Sequence, residues 1–489
     1  MRSMKKNLIL NFLKVFTSIL FPMVTFKYAT NVLSSENVGL VNYGSSVIAY
    51  FSLIAGLGVS SYAIREGSRI RNEKKQVTQF ASEVFSINII SCIISYCLLF
   101  VSIHLFSFLK PYKELLLIQS LVILFVTLGT EWINIIYEDY LYITIRTIFC
   151  QILSFVCLVL FVKKQDDYLI YAVIMVFSQI GMFLLNIVYV RRYIKCRIIL
   201  KKVLLKHLKP ILIIFSTTIA VTIYGSIDTT MLGVMASKES VAMYTAATKI
   251  YTAVKTIFST LIVVLVPRLS YVFIEKKIYI KYLKKILDII VVLFIPCTII
   301  MYLYAENFIL LISGAEYLIA SKALRIMAIA VLFSVLSCYI TNCVFLINRL
   351  EKYSLVATIL GALLNLLLNL YFIPKYNFTG AAITTLLSEI LVFIVCIIFL
   401  INKSVLKLKP PIKTNKILKL FVATFIMIIF FIVERKIFNN YILELVICVP
   451  ICIFTYFGCL YIFKYDLIYD ELKSIITLIL NRINKEKYK

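Results

Sequence analysis

Long apolar runs recur along this 489-residue chain, from Ile9 to Phe463. An α-helix rises about 1.5 Å per residue, so roughly 20 apolar residues cross the hydrocarbon core of a bilayer, about 30 Å thick. Backbone polar groups cannot stay unpaired in lipid, and a helix pairs nearly all of its own. The sequence therefore predicts an all-α integral membrane protein.

The runs predict about fourteen transmembrane helices by their length. The predicted spans are 9–29, 39–62, 83–105, 115–137, 142–162, 168–190, 211–236, 242–266, 283–304, 323–347, 353–373, 379–401, 417–433 and 441–463. A weak internal repeat aligns Glu36 with Glu239 and Arg65 with Arg268, which places spans one to six on spans seven to twelve. Parallel repeats of this kind are a common transporter design. They predict an N-terminal six-helix lobe over 1–200 and a second lobe over 201–405, with two more helices and a basic tail over 406–489.

The chain is strongly basic, with 51 Lys and Arg against 24 Asp and Glu. The basic residues concentrate in alternate short loops and at both termini, and the positive-inside rule then predicts that both termini are cytoplasmic. A nucleic-acid-binding protein would gather its basic residues on one solvated domain. We therefore expect no nucleic-acid partner.

The sequence contains little that would indicate catalysis or metal binding. No loop is long enough to fold as a catalytic domain, so an enzyme is not expected. The 12 cysteines are scattered without a C-x-x-C pair, and there are only 2 histidines. This pattern favours neither a disulfide framework nor a metal site, and we expect no cofactor.

Several ionisable residues fall inside the predicted spans. A charged side chain at the bilayer centre costs about 2.5–3.5 kcal/mol, so such residues should face protein or water and mark function. The basic ones singled out are Lys14, Lys249, Lys255 and Arg325, and the acidic ones are Glu131, Asp228 and Glu389.

Span eight carries a polar stripe. Lys249, Thr252, Thr256 and Ser259 recur at helical spacing and share one face, with Lys255 about 120° away. Such a stripe either lines a hydrophilic cavity or holds helices together through hydrogen bonds. The two lysines favour a cationic cavity.

Two interpretations remain open for the other charges. Lys14 and Arg325 lie near span ends, where they either extend to the headgroups or face a cavity. Asp228 and Glu389 either form ion pairs with the lysines of span eight or bind a coupling H⁺ or Na⁺. Glu131 belongs to the same group of candidate coupling or ion-pair residues.

Four stretches resemble bacterial polysaccharide repeat-unit flippases of the Wzx type, in the order that this family shows. They are Gly56–Gly67; Glu131-Trp132 with Tyr137–Tyr140 and Tyr142–Arg146; Ile227–Gly233 with Tyr244–Lys249; and Ile373–Tyr376 with Gly380–Ile383 and Ser388-Glu389. There are departures. Thr229 stands where the family often has a basic residue, and Ala242 and Asn377 stand where it often has glycine.

The resemblance implies membership of the multidrug/oligosaccharidyl-lipid/polysaccharide exporter superfamily, with two six-helix lobes around a central cavity. The implied substrate is an undecaprenyl-diphosphate-linked oligosaccharide, turned over in the bacterial inner membrane to build O-antigen or capsule. Membrane lipids, a polysaccharide polymerase and its chain-length machinery are the implied partners. A cationic cavity would receive the anionic diphosphate, with Lys14, Lys249, Lys255 and Arg325 as candidates.

Competing functions remain open. A drug or metabolite exporter of the same superfamily would need an acidic, aromatic site. A flippase for the peptidoglycan lipid precursor would share the architecture. A polymerase or ligase would need long external loops with catalytic residues, and a scaffold would leave the buried charges without a purpose.

Overall fold

A computed structural model describes residues 4–199, 202–402, 414–435, 437 and 440–469. Regular secondary structure in this part of the chain is helical throughout. The helices are α1 Met4–Val32, α2 Ser35–Gly56, α3 Val59–Arg69, α4 Lys74–Leu105, α5 Lys113–Leu128, α6 Glu131–Ile136, α7 Tyr140–Phe161, α8 Tyr168–Val190, α9 Leu205–Met235, α10 Lys238–Val272, α11 Lys276–Leu303, α12 Ala305–Ile312, α13 Ser321–Tyr339, α14 Glu351–Asn402, α15 Thr414–Glu434 and α16 Tyr441–Ile462.

The predicted all-α membrane fold is confirmed. Among the described residues, 11 helical segments are long and apolar enough to cross a membrane. The other predicted spans coincide with α1, with the short pair α5 and α6, and with the second half of α14. The count of about fourteen spans stays a prediction.

The second predicted span is broken at Leu57 and Gly58, whose φ angles are 46° and 70°. The left-handed region is costly for side chains with a Cβ, so glycine at one of the two positions lowers the strain. A Cβ on Gly58 would also lie 2.9 Å from Ile214 Cγ2. The break therefore lets α9 pack closely against the α2–α3 junction.

The fourth predicted span is broken at Thr130, where φ is 49°. The Gly129 carbonyl accepts a hydrogen bond of 2.5 Å from Asn186 Nδ2, and Asn186 Oδ1 accepts one from Asn134 Nδ2. Both asparagines are buried. Irregular backbone at membrane depth is tolerated where protein groups satisfy it, and Asn186 meets that need here.

Helix α14 is two helices joined at Asn377, whose φ and ψ are 51° and −134°. A Cβ on Gly380 would lie only 2.2 Å from the Phe372 carbonyl oxygen, so the chain folds back tightly at this point. The joint separates the eleventh and twelfth predicted spans. The positive φ at this joint also explains why glycine suits the position that Asn377 occupies, since glycine adopts positive φ without strain.

The chain divides into two compact units. The first consists of Met1–Ala246, Ile312–Tyr317 and Ala362–Thr384, and the second of Ala247–Leu311, Leu318–Gly361 and Thr385–Lys489. The predicted lobe boundaries stay a prediction, since residues 200–201 and 403–413 lie outside the described part.

Each unit has its own apolar core. In the first unit, α3, α4, α6 and α9 meet around buried residues that include Tyr62, Phe80 and Trp132. In the second unit, α15 and α16 pack on α11 around Tyr304 and Tyr456. The last two predicted spans thus belong to a packed core of the second unit.

Candidate functional site

Glu131 lies between two cations in the first unit. Its Oε1 accepts a hydrogen bond of 2.7 Å from Lys14 Nζ, and its Oε2 one of 2.5 Å from Arg146 Nη2. The Arg146 side chain is only 2% exposed, whereas Lys14 and Glu131 are 28% and 38% exposed. The cluster joins α1, α6 and α7 and carries one positive charge in excess.

Arg146 is a member of this cluster that the sequence interpretation missed. It lies inside the predicted span 142–162 but is not among the basic residues that the sequence singled out. A hydropathy pattern tolerates one base four residues from a span end, so the position looked like a boundary. The carboxylate of Glu131, 15 residues earlier, holds it inside.

Asp228 lies at the centre of a hydrogen-bond network in the first unit. Its carboxylate accepts a hydrogen bond of 2.5 Å from Tyr244 OH and one of 2.6 Å from Asn369 Nδ2. Asn369 Oδ1 in turn accepts a hydrogen bond of 2.5 Å from Thr384 Oγ1. Asn369 Nδ2 also donates a hydrogen bond of 3.2 Å to Asn365 Oδ1. All five residues are buried. Donors on two oxygens stabilise a carboxylate in low dielectric.

Asn365 and Asn369 were not singled out from the sequence. They stand four residues apart in an otherwise apolar run, so they share one helical face. Amides inside a span need hydrogen-bond partners, and this spacing was the available signal.

In the second unit, Lys255 and Glu389 form an ion pair of 2.9 Å. Tyr251 OH also donates to Glu389 Oε1 at 2.9 Å. The Glu389 side chain is 4% exposed and the Lys255 side chain 34% exposed. The carboxylate is therefore the buried member of the pair, and the lysine side chain is the more exposed one.

Two hydroxyls of the predicted stripe on span eight, those of Thr252 and Thr256, form hydrogen bonds within their own helix, α10. Thr252 Oγ1 donates to the Thr248 carbonyl at 2.7 Å, and Thr256 Oγ1 to the Thr252 carbonyl at 2.7 Å. Lys249 is half-buried on the same helix. The two threonines are thus satisfied within their helix, and the cavity-lining role of the stripe stays a prediction.

Arg325 lies in the first turns of α13 and donates to Glu306 Oε1 at 2.5 Å. Arg435 donates to Glu306 Oε2 at 3.1 Å. The exposed fractions of the three side chains are 33% for Arg325, 33% for Glu306 and 55% for Arg435. Lys14, Lys255 and Arg325 therefore each pair with a different carboxylate, and their predicted role in substrate binding stays a prediction.

A cavity of about 580 Å³ lies within the first unit. Its described lining is free of ionisable and aromatic side chains. The polar side chains that line it are Ser45, Ser52, Ser60, Ser61, Gln119, Gln179, Thr218 and Thr222. Hydroxyls and amides both donate and accept hydrogen bonds, as uncharged polar ligands require.

A family model described as polysaccharide biosynthesis protein matches residues 4–273, which is more than half of the chain. The chain belongs to this family. The resemblance to Wzx-type flippases is thereby confirmed at the level of the family.

The relatives of this chain include a Shigella dysenteriae protein that is provisionally named an O-antigen transporter. It is 24% identical over 395 residues, which cover 80% of this chain and 98% of the relative. The match thus extends over almost the whole length of that protein.

Two solved structures share the fold. One is the lipid II flippase MurJ in an inward closed conformation, with a TM-score of 0.75, 20% identity, and coverage of 94% of this chain and 100% of that chain. The other is an inward-facing multidrug resistance MATE family transporter of the MOP superfamily, with a TM-score of 0.58, 14% identity, and coverage of 81% and 98%. The chain is therefore a multi-pass membrane protein that shares its fold with these two membrane proteins.

Proposed function

We propose that the protein moves an undecaprenyl-diphosphate-linked oligosaccharide from the inner to the outer leaflet of the bacterial cytoplasmic membrane by alternating access. The family and the Shigella dysenteriae relative support a role in surface polysaccharide assembly. Both termini would lie in the cytoplasm, as the distribution of basic residues suggests. A polysaccharide polymerase and its chain-length machinery are the proposed partners.

The observation that carries this proposal is the uncharged cavity of about 580 Å³ in the first unit, whose lining combines aliphatic side chains with eight Ser, Thr and Gln side chains. Sugars present many hydroxyls and apolar C–H faces, so such a mixed lining suits them. A site for cationic drugs would need carboxylates or aromatic faces, and the described lining of this cavity has neither. We propose that the oligosaccharide occupies this cavity.

The diphosphate needs cations. The Lys255 side chain is 34% exposed, whereas its partner Glu389 is buried, so we propose that an anion approaches from the lysine side while the carboxylate keeps the lysine in place. Charge-assisted hydrogen bonds to phosphate oxygens are among the strongest available to a protein. Lys249 on the same helix and Lys14 in the first unit are further candidates. The prenyl tail would stay in lipid.

Deletion of the gene in its host tests the proposal. We expect surface polymer to disappear while lipid-linked repeat units accumulate at the cytoplasmic face. A plasmid copy with Gln179→Leu should restore little polymer, because the substitution removes the carbonyl and the NH₂ group of the Gln179 side chain from the cavity wall. Lys255→Gln should also fail, whereas Lys284→Gln, an exposed lysine on α11, should restore polymer.

Other outcomes would favour other functions. Intact polymer with raised sensitivity to cationic drugs would indicate an exporter. Arrested peptidoglycan synthesis would indicate a precursor flippase.

Energy coupling is a separate part of the proposal. Asp228, Glu131 and Glu389 are the proposed sites at which H⁺ or Na⁺ would act. Asp228→Asn keeps the side-chain shape and removes the charge, and its amide oxygen can still accept from Asn369 while Tyr244 OH can accept from its NH₂ group. The variant should therefore slow transport in proteoliposomes that hold a pH or Na⁺ gradient. Unchanged transport by this variant would remove Asp228 from the coupling mechanism.

A further inference from the structure

A second cavity, of about 520 Å³, lies in the second unit where α10 ends and α11 begins. Its volume falls within the roughly 300–1,000 Å³ of typical small-ligand sites. Three cations line it, Arg268, Lys281 and Lys285, and its described lining contains no acid. The cavity of about 580 Å³ in the first unit, by contrast, has no charged side chain in its described lining.

The cations converge from two helices. Arg268 donates to Tyr282 OH at 3.0 Å, and its guanidinium lies 5.2 Å from the centre of the Tyr282 ring. Lys281 and Lys285 are four residues apart and therefore share one face of α11. Because Tyr282 fixes Arg268, part of the entropy of ordering that long side chain is already lost before a ligand binds.

Apolar side chains complete the cavity wall. Leu265 on α10 and Ile278 and Ile289 on α11 line it beside the cations. A ligand that fits this wall has an anionic group at one end and an apolar portion at the other. A free phosphate would leave the apolar part of the wall without a contact.

The turn between the two helices has the character of a membrane interface. Tyr271 is 83% exposed and Ile274 is 91% exposed, side by side with the exposed lysines Lys276 and Lys277. Aromatic rings and lysines are enriched at the headgroup level of a bilayer, where both the ring and the charge are accommodated. A cavity beside such a turn is suited to the depth at which lipid phosphates lie.

We propose that this cavity binds the phosphate headgroup of an anionic phospholipid, such as phosphatidylglycerol, with the lipid's apolar portion against the aliphatic wall. Basic residues that only set topology need no shared cavity, and Lys276, Lys277 and Lys284 stand outside this one. Basic pockets at helix ends are suited to anionic headgroups. The site is independent of the proposed transport activity, and its test uses lipid binding alone.

Native mass spectrometry of the purified full-length protein tests the site. Phosphatidylglycerol and phosphatidylethanolamine are titrated against the wild type, the cavity variant R268Q/K281Q/K285Q and the matched variant K276Q/K277Q/K284Q. Both variants lose three positive charges on the same helix hairpin. Each cation near an anionic surface contributes about 1 kcal/mol, so the cavity variant should bind phosphatidylglycerol about a hundredfold more weakly. The matched variant should bind within about threefold of the wild type if the cavity holds the lipid.

Three results would overturn the proposal: equal losses in the two triple variants, equal binding of the two lipids, and full displacement of phosphatidylglycerol by glycerol phosphate or inorganic phosphate. Preferential binding of a polyprenyl diphosphate lipid at this site would also overturn it, since the cavity would then serve the substrate. K281Q alone changes one exposed side chain. It should still weaken binding about fivefold, even where the triple variant does not fold.

Discussion

The ion pair of Lys255 and Glu389 predicts an unequal response to removal of its two charges. Lys255→Met would leave a carboxylate that is 4% exposed with only Tyr251 as a donor in the described contacts. Breaking a buried pair costs about 3–5 kcal/mol, so we expect a loss of about 3 kcal/mol in the free energy of unfolding. Glu389→Gln would leave the positive charge on a side chain that is 34% exposed. Because this long side chain can turn toward its exposed side and the amide oxygen still accepts a hydrogen bond, that loss should be about 1 kcal/mol.

The double variant K255M/E389Q separates pairing from packing. It leaves no uncompensated charge at this site, so it should be more stable than Lys255→Met alone, with a coupling energy of about 2 kcal/mol. Unfolding by denaturant titration in one detergent gives the four free energies, with Lys284→Met as a control for loss of an exposed lysine. A Glu389→Gln variant as unstable as Lys255→Met, or strictly additive effects, would refute the reasoning.

Three backbone sites give further predictions, each measured by the thermal unfolding midpoint. Asn377→Gly should stabilise the protein by about 1 kcal/mol and Asn377→Ala should not, because φ at this position is 51°; equal effects would contradict this. Gly39→Ala should destabilise the protein by about 2 kcal/mol, because the new Cβ would lie 1.7 Å from a carbonyl oxygen of α10. Gly56→Ala is the control and should be neutral, because a Cβ at that position would have nothing within 4 Å. Asn186→Leu should cost about 2 kcal/mol by leaving the Gly129 carbonyl without its donor, and a neutral result would mean that another donor replaces it.

Hydropathy predicted the helices well because lipid imposes one strong rule, an apolar surface of sufficient length. It did not predict where helices break within a span. Leu57 and Thr130 have ordinary side chains, and their positive φ values follow from packing and from partners such as Asn186 that lie far away in sequence. A single glycine such as Gly58 is too common a signal to mark a break by itself.

The candidate site was predicted less completely, because the sequence does not fix how neighbouring helices are rotated. The buried ionisable residues were found by their cost in lipid. Their partners were not, since Lys14 and Glu131 are 117 residues apart and Lys255 and Glu389 are 134 apart. Neutral partners such as Asn369 and Tyr244 carry no charge cost and are hard to distinguish from ordinary packing residues.

The carboxylate behind Lys255 has an electrical consequence. Because Glu389 cancels the lysine charge, the pair itself is neutral and moves no net charge when the empty carrier resets. A diphosphate brings about two negative charges, and the transmembrane potential acts on each with about 2.3 kcal/mol per 100 mV. With a negative cytoplasm, this voltage favours outward movement by about 5 kcal/mol at 100 mV. Under the proposed function, collapse of the membrane potential would slow export even with the pH and Na⁺ gradients intact.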